Sequence, residues 1–280
     1  MSFNNIGLAI TFSPTGKALF AQALRFAKLY NARLNLIHIG EKDEQSVNHI
    51  DSIIKSFDCE TVFINKIWQS GEPASSIIKV CKKEKIDLLI LGALEKENFI
   101  KYYAGSVARK LMRTAPCSVM ILVNPSEEQT KFKKICVSIN FEQNDEMTAK
   151  LANELATLEK ADELIFIREF QVPGLSITVT DNGSVEEIDS IKNQWQQEEE
   201  QKLELFISEL EIRNSNLKKV CLFGKQGWQI SKYAEENKSD LLVLSAPKKK
   251  IKLMDRIFQH DLEYIFQDLP CNVLLFRDIQ

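Results

Sequence analysis

Histidine is scarce in this 280-residue chain: His38, His49 and His260 are all there is. None stands at ligand spacing from the six scattered cysteines, Cys59, Cys81, Cys117, Cys136, Cys221 and Cys271, and no two cysteines form a C-x-x-C pair. That pattern argues against a zinc centre and for reduced, packed thiols in a reducing compartment. Long apolar runs are missing too, since none approaches the roughly 18 residues of a membrane helix. The opening MSFNNIGLAI lacks a basic segment followed by an apolar core, so no secretory leader is expected. Excess positive charge is also lacking. A formal net charge of -3 provides no field to gather nucleic acid. With 44% hydrophobic and 27% charged residues, a globular, cytoplasmic chain of one large or two ordinary domains is expected.

Short apolar runs alternate with longer amphipathic ones. IGLAITF (6–12), RLNLIHI (33–39), TVFINKI (61–67), DLLILGA (87–93) and CSVMILV (117–123) read as strands. Helical spacing fills the gaps at 17–30, about 43–57, 73–85 and 106–114, with Pro73 at a first helical turn. Strands that are nearly all apolar suit a parallel sheet covered on both faces. Alternation at this spacing implies right-handed crossovers.

NPSEEQT (124–130) interrupts the series as a polar linker, and the series then restarts. KICVSINF (134–141), EMTAKLANELATLEK (146–160) and ELIFIREF (163–170) repeat the first strand, first helix and second strand. In this alignment Gly71 pairs with Gly224, Asp87 with Asp240, and Pro116-Cys117 with Pro270-Cys271. The period is that of a whole domain, not of a solenoid. The expected fold is α/β: two doubly wound (Rossmann-like) domains, 1–125 and 131–280, each a five-stranded, mostly parallel sheet with helices on both faces. The second copy carries an insertion near 171–201. It reads as a hairpin turning at Asp181-Asn182-Gly183 and then an acidic, Gln-rich helix. A surface excursion is the plain reading of it, and a lid or partner-binding arm the sharper one.

A parallel sheet binds ligands beyond the carboxyl ends of its strands. In LGALEKENFIKYYAGS (91–106), Gly92 ends a strand there and Gly105-Ser106 opens a helix. A helix start offers unpaired N–H groups and a positive dipole end, which suit phosphate. Glycine lets the backbone approach an anion closely, and Ser106 can cap the helix and donate its hydroxyl.

These residues resemble the universal stress proteins, many of which carry G-x2-G-x9-G-[S/T] after the fourth strand. Gly92, Glu95 in place of the second glycine, and Gly105-Ser106 follow that pattern. APCSVMIL (115–122), SGEPASSII (70–78) and LIHI (36–39) also look like family segments. The resemblance covers nearly the whole chain as two tandem copies. It implies a stress-response regulatory protein, not an enzyme, with ATP or another adenine nucleotide bound weakly in the first domain. Carried over by position, the residues involved are Gly92, Gly105, Ser106, Thr11, Ser13 and Ile39. Thr11 replaces the family's aspartate, and Glu95 sets a carboxylate by the phosphates. Each change costs about 1–3 kcal/mol if its group is buried in the complex.

In the second copy Ser245 stands for Gly92, Gln259-His260 for Gly105-Ser106, and Asn140 for the strand-one aspartate. Asp261 at the helix start would repel phosphate, so no nucleotide is expected there. The resemblance also implies intrachain pairing of the two domains through their last strands, and it allows a homodimer. Protein partners stay unnamed, and neither nucleic acid nor membrane is expected. Two alternatives stay open: a non-nucleotide-binding interaction scaffold using the insertion, and an enzyme of adenylate chemistry.

Plain readings cover the remaining motifs. SPTGKA (13–18) is a turn into the first helix, because a phosphate loop would need Gly at 11 and Ser or Thr at 18. KKKIK (248–252) reads as a solvated loop, His38 as a hydrogen-bonded structural residue, and Cys117 and Cys271 as packing. His260 faces a ligand only if the alignment holds. No nucleophilic triad, paired carboxylates or metal set can be assembled.

Overall fold

A computed structural model describes residues 3–95, 101–172, 185–212, 214, 216–247 and 260–278. The first half runs β1 (Asn5–Ala9), α1 (Gly16–Tyr30), β2 (Arg33–Ile39), α2 (Glu44–Lys55), β3 (Ile64–Gln69), α3 (Pro73–Lys83) and β4 (Leu88–Gly92). A two-stranded hairpin follows, β5 (Leu94–Glu95) and β6 (Tyr102–Tyr103), then α4 (Ser106–Thr114) and β7 (Ser118–Leu122). The second half runs β8 (Lys134–Ser138), α5 (Asp145–Glu159), β9 (Glu163–Phe170), α6 (Val185–Glu209) and β10 (Leu217–Phe223). It closes with α7 (Trp228–Glu236), β11 (Leu241–Ser245), α8 (His260–Gln267) and β12 (Asn272–Phe276).

The main sheet has ten strands in the order β10-β9-β8-β11-β12-β7-β4-β1-β2-β3. Its two halves are mirror-ordered. Every neighbouring pair is parallel except β12 with β7, which pair antiparallel with Leu274 opposite Met120. Two five-stranded sheets thus merge into one where the last strands meet. Alternate strand residues supply two cores. Leu88, Ile90 and Met120 face α1, α2, α5 and α6, while Leu89, Leu91, Val119 and Ile121 face α3, α4, α7 and α8. Both faces are therefore covered, which explains the nearly unbroken apolar strands.

Repeated local chemistry accompanies the repeated topology. α1 and α5 each end on a left-handed residue, Asn31 (φ 51°) and Lys160 (φ 54°), whose N–H caps the preceding turn. Gly71 (φ 112°) and Gly224 (φ 140°) turn the chain after the third strand of each half, where a Cβ would be strained. Asp87 accepts the backbone N–H groups of Asn4 and Asn5 at 2.7 and 3.0 Å. Asp240 does the same for Lys133 and Lys134, both at 2.7 Å.

Strand limits differ from the apolar runs. β1 stops at Ala9 and β8 at Ser138, short of 12 and 141, while β3 lies later than 61–67. The insertion's expected turn at Asp181-Asn182-Gly183 lies outside the described residues. Its helix, α6, packs Leu203 and Ile207 into the core, and Phe206 meets Phe141 edge-on at 5.8 Å. The cysteines are free, four of them buried. Among the described residues no helix is long and apolar enough to cross a membrane, and no cluster of potential ligands could hold a metal.

Candidate functional site

Thr11, Ser13, Ile39, Gly92, Gly105 and Ser106 all lie at or beyond the carboxyl ends of the strands or at the start of α4. Thr11 and Ser13 are exposed in the loop after β1. The Thr11 hydroxyl donates to Ser13 Oγ at 3.1 Å, and Ser13 Oγ lies 3.2 Å from Thr15 Oγ1. Ile39 is the half-buried last residue of β2. Between them, exposed Phe12 stacks on the His38 ring at 4.4 Å and meets His49 edge-on at 4.8 Å. His38 Nδ1 sits 3.2 Å from the Ile10 carbonyl, so the ring is tied to the backbone.

The two glycines accommodate the chain's own leucines. A Cβ on Gly92 would come within 2.8 Å of Leu19 Cδ1 from α1, and one on Gly105 within 2.6 Å of Leu94 Cδ1. Leu94 therefore lies against the start of α4, where an anion would approach. Gly105 is the N-cap residue and makes no side-chain cap bond. Ser106 is the exposed first residue of the helix, so the expected serine cap is corrected. The cause is local: a side chain caps from the residue before the first helical one.

Glu95 is exposed and paired with Tyr102 in the β5–β6 hairpin. Burial, aided by Glu95, pushes the Tyr102 phenol up. The hairpin is fastened to the second half. Leu269 N–H donates to the Tyr102 carbonyl and Ala104 N–H to that of Phe266, both at 2.9 Å. Lys101 pairs with Asp268 at 3.0 Å, which raises the lysine pKa. Beside this seam lies a cleft of about 680 Å³ bordered by Tyr102, Trp228 and Tyr264.

Among the described residues, the equivalent crevice of the second half is occupied by its own carboxylates. Asp145, in the first turn of α5, accepts N–H groups from Asn140 at 2.7 Å and Glu142 at 3.0 Å. It also accepts the Ser245 hydroxyl, and Ser245 Oγ lies 2.8 Å from Thr148 Oγ1. Burial holds the Asp145 carboxyl above its ordinary range despite these bonds. Asn140 Oδ1 accepts Arg168 and Gln226, each at 3.4 Å. Glu169, 2% exposed, accepts the N–H groups of Gly227 and Ile230 at 2.8 Å. The remaining space is about 30 Å³, room for a water or two. Gln259 and the side chains of His260 and Asp261 lie outside the described residues, as does the 248–252 lysine run.

Sequence reasoning did not single out Leu94, Phe12, Asp145 or Glu169. For Asp145, an aspartate five residues after Asn140 in a turn-forming stretch was the available signal. Leu94 left none, because its place depends on hairpin pairing.

Comparison with known proteins bears on the family and the fold. The model of the universal stress protein family matches residues 64–123, from β3 through β7. Residues 64–123 are thus similar to the universal stress protein family. Universal stress protein MJ0531 of Methanocaldococcus jannaschii is 33% identical over 58 residues, 21% of this chain and 34% of that protein. The chain thus spans about a third of that relative's length. Universal stress protein YxiE of Bacillus subtilis is 21% identical over 151 residues, 43% of this chain and 99% of that protein. A crystal structure of a universal stress protein from Archaeoglobus fulgidus superposes with a TM-score of 0.66 at 15% identity, covering 99% of both chains. That likeness concerns the fold. The shared fold spans both halves.

Proposed function

We propose that this universal stress-type protein is a regulatory binding protein that acts by association and catalyses no reaction. Its first crevice takes ATP or another adenine nucleotide weakly; the second takes none. The carrying observation is Leu94, whose Cδ1 occupies the approach to Gly105 at the head of α4. Leu94 narrows the way of a phosphate to the helix N-terminus, and Glu95 on the same hairpin adds a repelling charge. The hairpin's fastening to α8 and Leu269 opposes movement of Leu94. In the second half, Asp145 holds Ser245, the counterpart of Gly92, and Glu169 holds the α7 N-terminus, so these donors are already bonded within the chain.

Domains 1–125 and 131–280 then act as an internal pair, joined through β7 and β12. With those strands used inside the chain, homodimerisation would need another surface.

Calorimetric titration with ATP of the wild type, Leu94→Ala and Ser106→Asp tests the reading. Weak binding by the wild type, tightened by Leu94→Ala and lost in Ser106→Asp, is expected. Silence from folded wild type and Leu94→Ala alike would sink the nucleotide reading and leave the interaction scaffold, with α6 as its contact surface.

A further inference from the structure

A second cavity, of about 590 Å³, lies at the opposite end of the first half, where β7 and β12 join the two halves. Its size falls within the roughly 300–1,000 Å³ of small-molecule sites. Four apolar side chains from distant segments form its walls: Phe3 before β1, Ile86 before β4, Leu151 on α5 and Phe276 on β12. All four are buried, the most exposed being Phe3 and Phe276 at 5%.

Arg277 is one of the cations bordering this apolar space. Arg277 follows β12 and is held by its backbone, with its N–H donating to Ser118 Oγ at 3.1 Å and its carbonyl accepting Ser118 Oγ at 3.3 Å. One guanidinium nitrogen, Nη2, donates to the Met112 carbonyl at 3.1 Å. Nε is buried and has no partner. A buried donor left unpaired is costly and calls for an acceptor. Burial also pulls the Arg277 pKa down, as a desolvated cation requires.

Lys82 and Lys85 join Arg277 in the lining, against Asp87 and Asp278. Asp87 Oδ2 accepts the N–H groups of Asn4 and Asn5, and Oδ1 accepts that of Asn5 at 3.2 Å. The lining is therefore net positive by one charge, and one of its residues, Arg277, carries an unpartnered guanidinium donor. An apolar body with a single anionic head complements both features.

We propose that this cavity binds a free single-chain amphipathic carboxylate, with the alkyl chain among Phe3, Ile86, Leu151 and Phe276 and the carboxylate at Arg277. The site is separate from the nucleotide crevice and does not depend on the reading given above.

The test is calorimetric titration of the full chain with dodecanoate, octanoate and dodecanol, and of the Arg277→Gln and Leu151→Trp variants with dodecanoate, their folding checked by circular dichroism. One saturable dodecanoate site is expected, with affinity falling roughly fourfold for each methylene removed. Loss of the charge-assisted contact in dodecanol, or in Arg277→Gln, should weaken binding by about tenfold or more. Leu151→Trp fills the chamber and should abolish binding. The comparison of dodecanoate with dodecanol uses only wild-type protein, so it decides the headgroup even if a variant does not fold. Absence of saturable dodecanoate binding overturns the proposal. So does equal affinity for dodecanol, or full affinity in a folded Leu151→Trp protein. Association with phosphatidylglycerol vesicles without binding of free dodecanoate would overturn it in favour of a membrane surface.

Discussion

Arg25 on α1 and Glu159 on α5, 134 residues apart, form a buried ion pair across the junction of the two halves. Arg25 Nη1 donates to both carboxylate oxygens at 2.6 and 2.7 Å. Glu159 is fully buried and Arg25 9% exposed. The guanidinium lies over the Phe26 and Phe132 rings at 4.6 and 5.3 Å. Arg25 Nε donates to Gln22, whose amide donates in turn to the Ser126 carbonyl in the linker. Removing the cation strands a carboxylate in the core. Arg25→Met should therefore cost about 3–5 kcal/mol, and Arg25→Met with Glu159→Leu should recover most of that. Urea unfolding of the two variants measures it. A double variant no more stable than Arg25→Met would contradict the account.

Asp87 and Asp240 hold the entries to β1 and β8. Burial raises the Asp87 pKa above its ordinary 3.8, outweighing the N–H bonds from Asn4 and Asn5. The folded state then keeps a proton that the unfolded chain has released. Its contribution is complete below the unfolded value and declines as pH rises through the raised folded value. Asp87→Asn should flatten that slope in a plot of urea midpoint against pH. An unchanged slope would assign the pH dependence to other groups.

The tandem fold was legible because its signals are local and repeated. Apolar runs marked the strands, and Gly71 with Gly224 marked equivalent turns. The sites were less legible. Gly92 and Gly105 read as phosphate glycines, yet each makes room for a leucine, Leu19 or Leu94, whose position depends on tertiary packing. Arg25 and Glu159 were not singled out from the sequence, because nothing local links two charges 134 residues apart. Strand ends were misplaced where the backbone turns before the apolar residues run out, as at Ile10 and Phe12.

Glu72 caps α3 ahead of Pro73. Its carboxylate accepts Ser75 N–H at 2.9 Å and Ala74 N–H at 3.3 Å, and Lys110 lies 3.0 Å away. Ser75, through side chain and backbone, and then Lys110 hold its pKa down at about 2. A depressed carboxylate pKa contributes stability above the unfolded value, and this is lost as pH falls towards 2. A carboxyl-carbon NMR titration should place the Glu72 midpoint near that value, with Ser75→Ala moving it up towards the ordinary 4.5. A midpoint already at the ordinary value in the wild type would rule the cap out in solution.

Glu169 offers a way to ask whether the second half lost an anion site or filled it. Its carboxylate takes the N–H groups of Gly227 and Ile230, the donors a bound phosphate or sulfate would use at the start of α7. Glu169→Ala should cost about 1–3 kcal/mol by leaving those donors unpaired in a buried place. Sulfate stabilises folded proteins generally, so the informative quantity is the difference between variant and wild type. Thermal unfolding across a sulfate series should raise the variant's midpoint more steeply, because an anion can enter the position the side chain vacated. Parallel lines would mean that the crevice, with its 30 Å³ of free space, stays closed even without the carboxylate. The second half would then have no anion site to recover, and Asp145 with Ser245 would suffice to seal it.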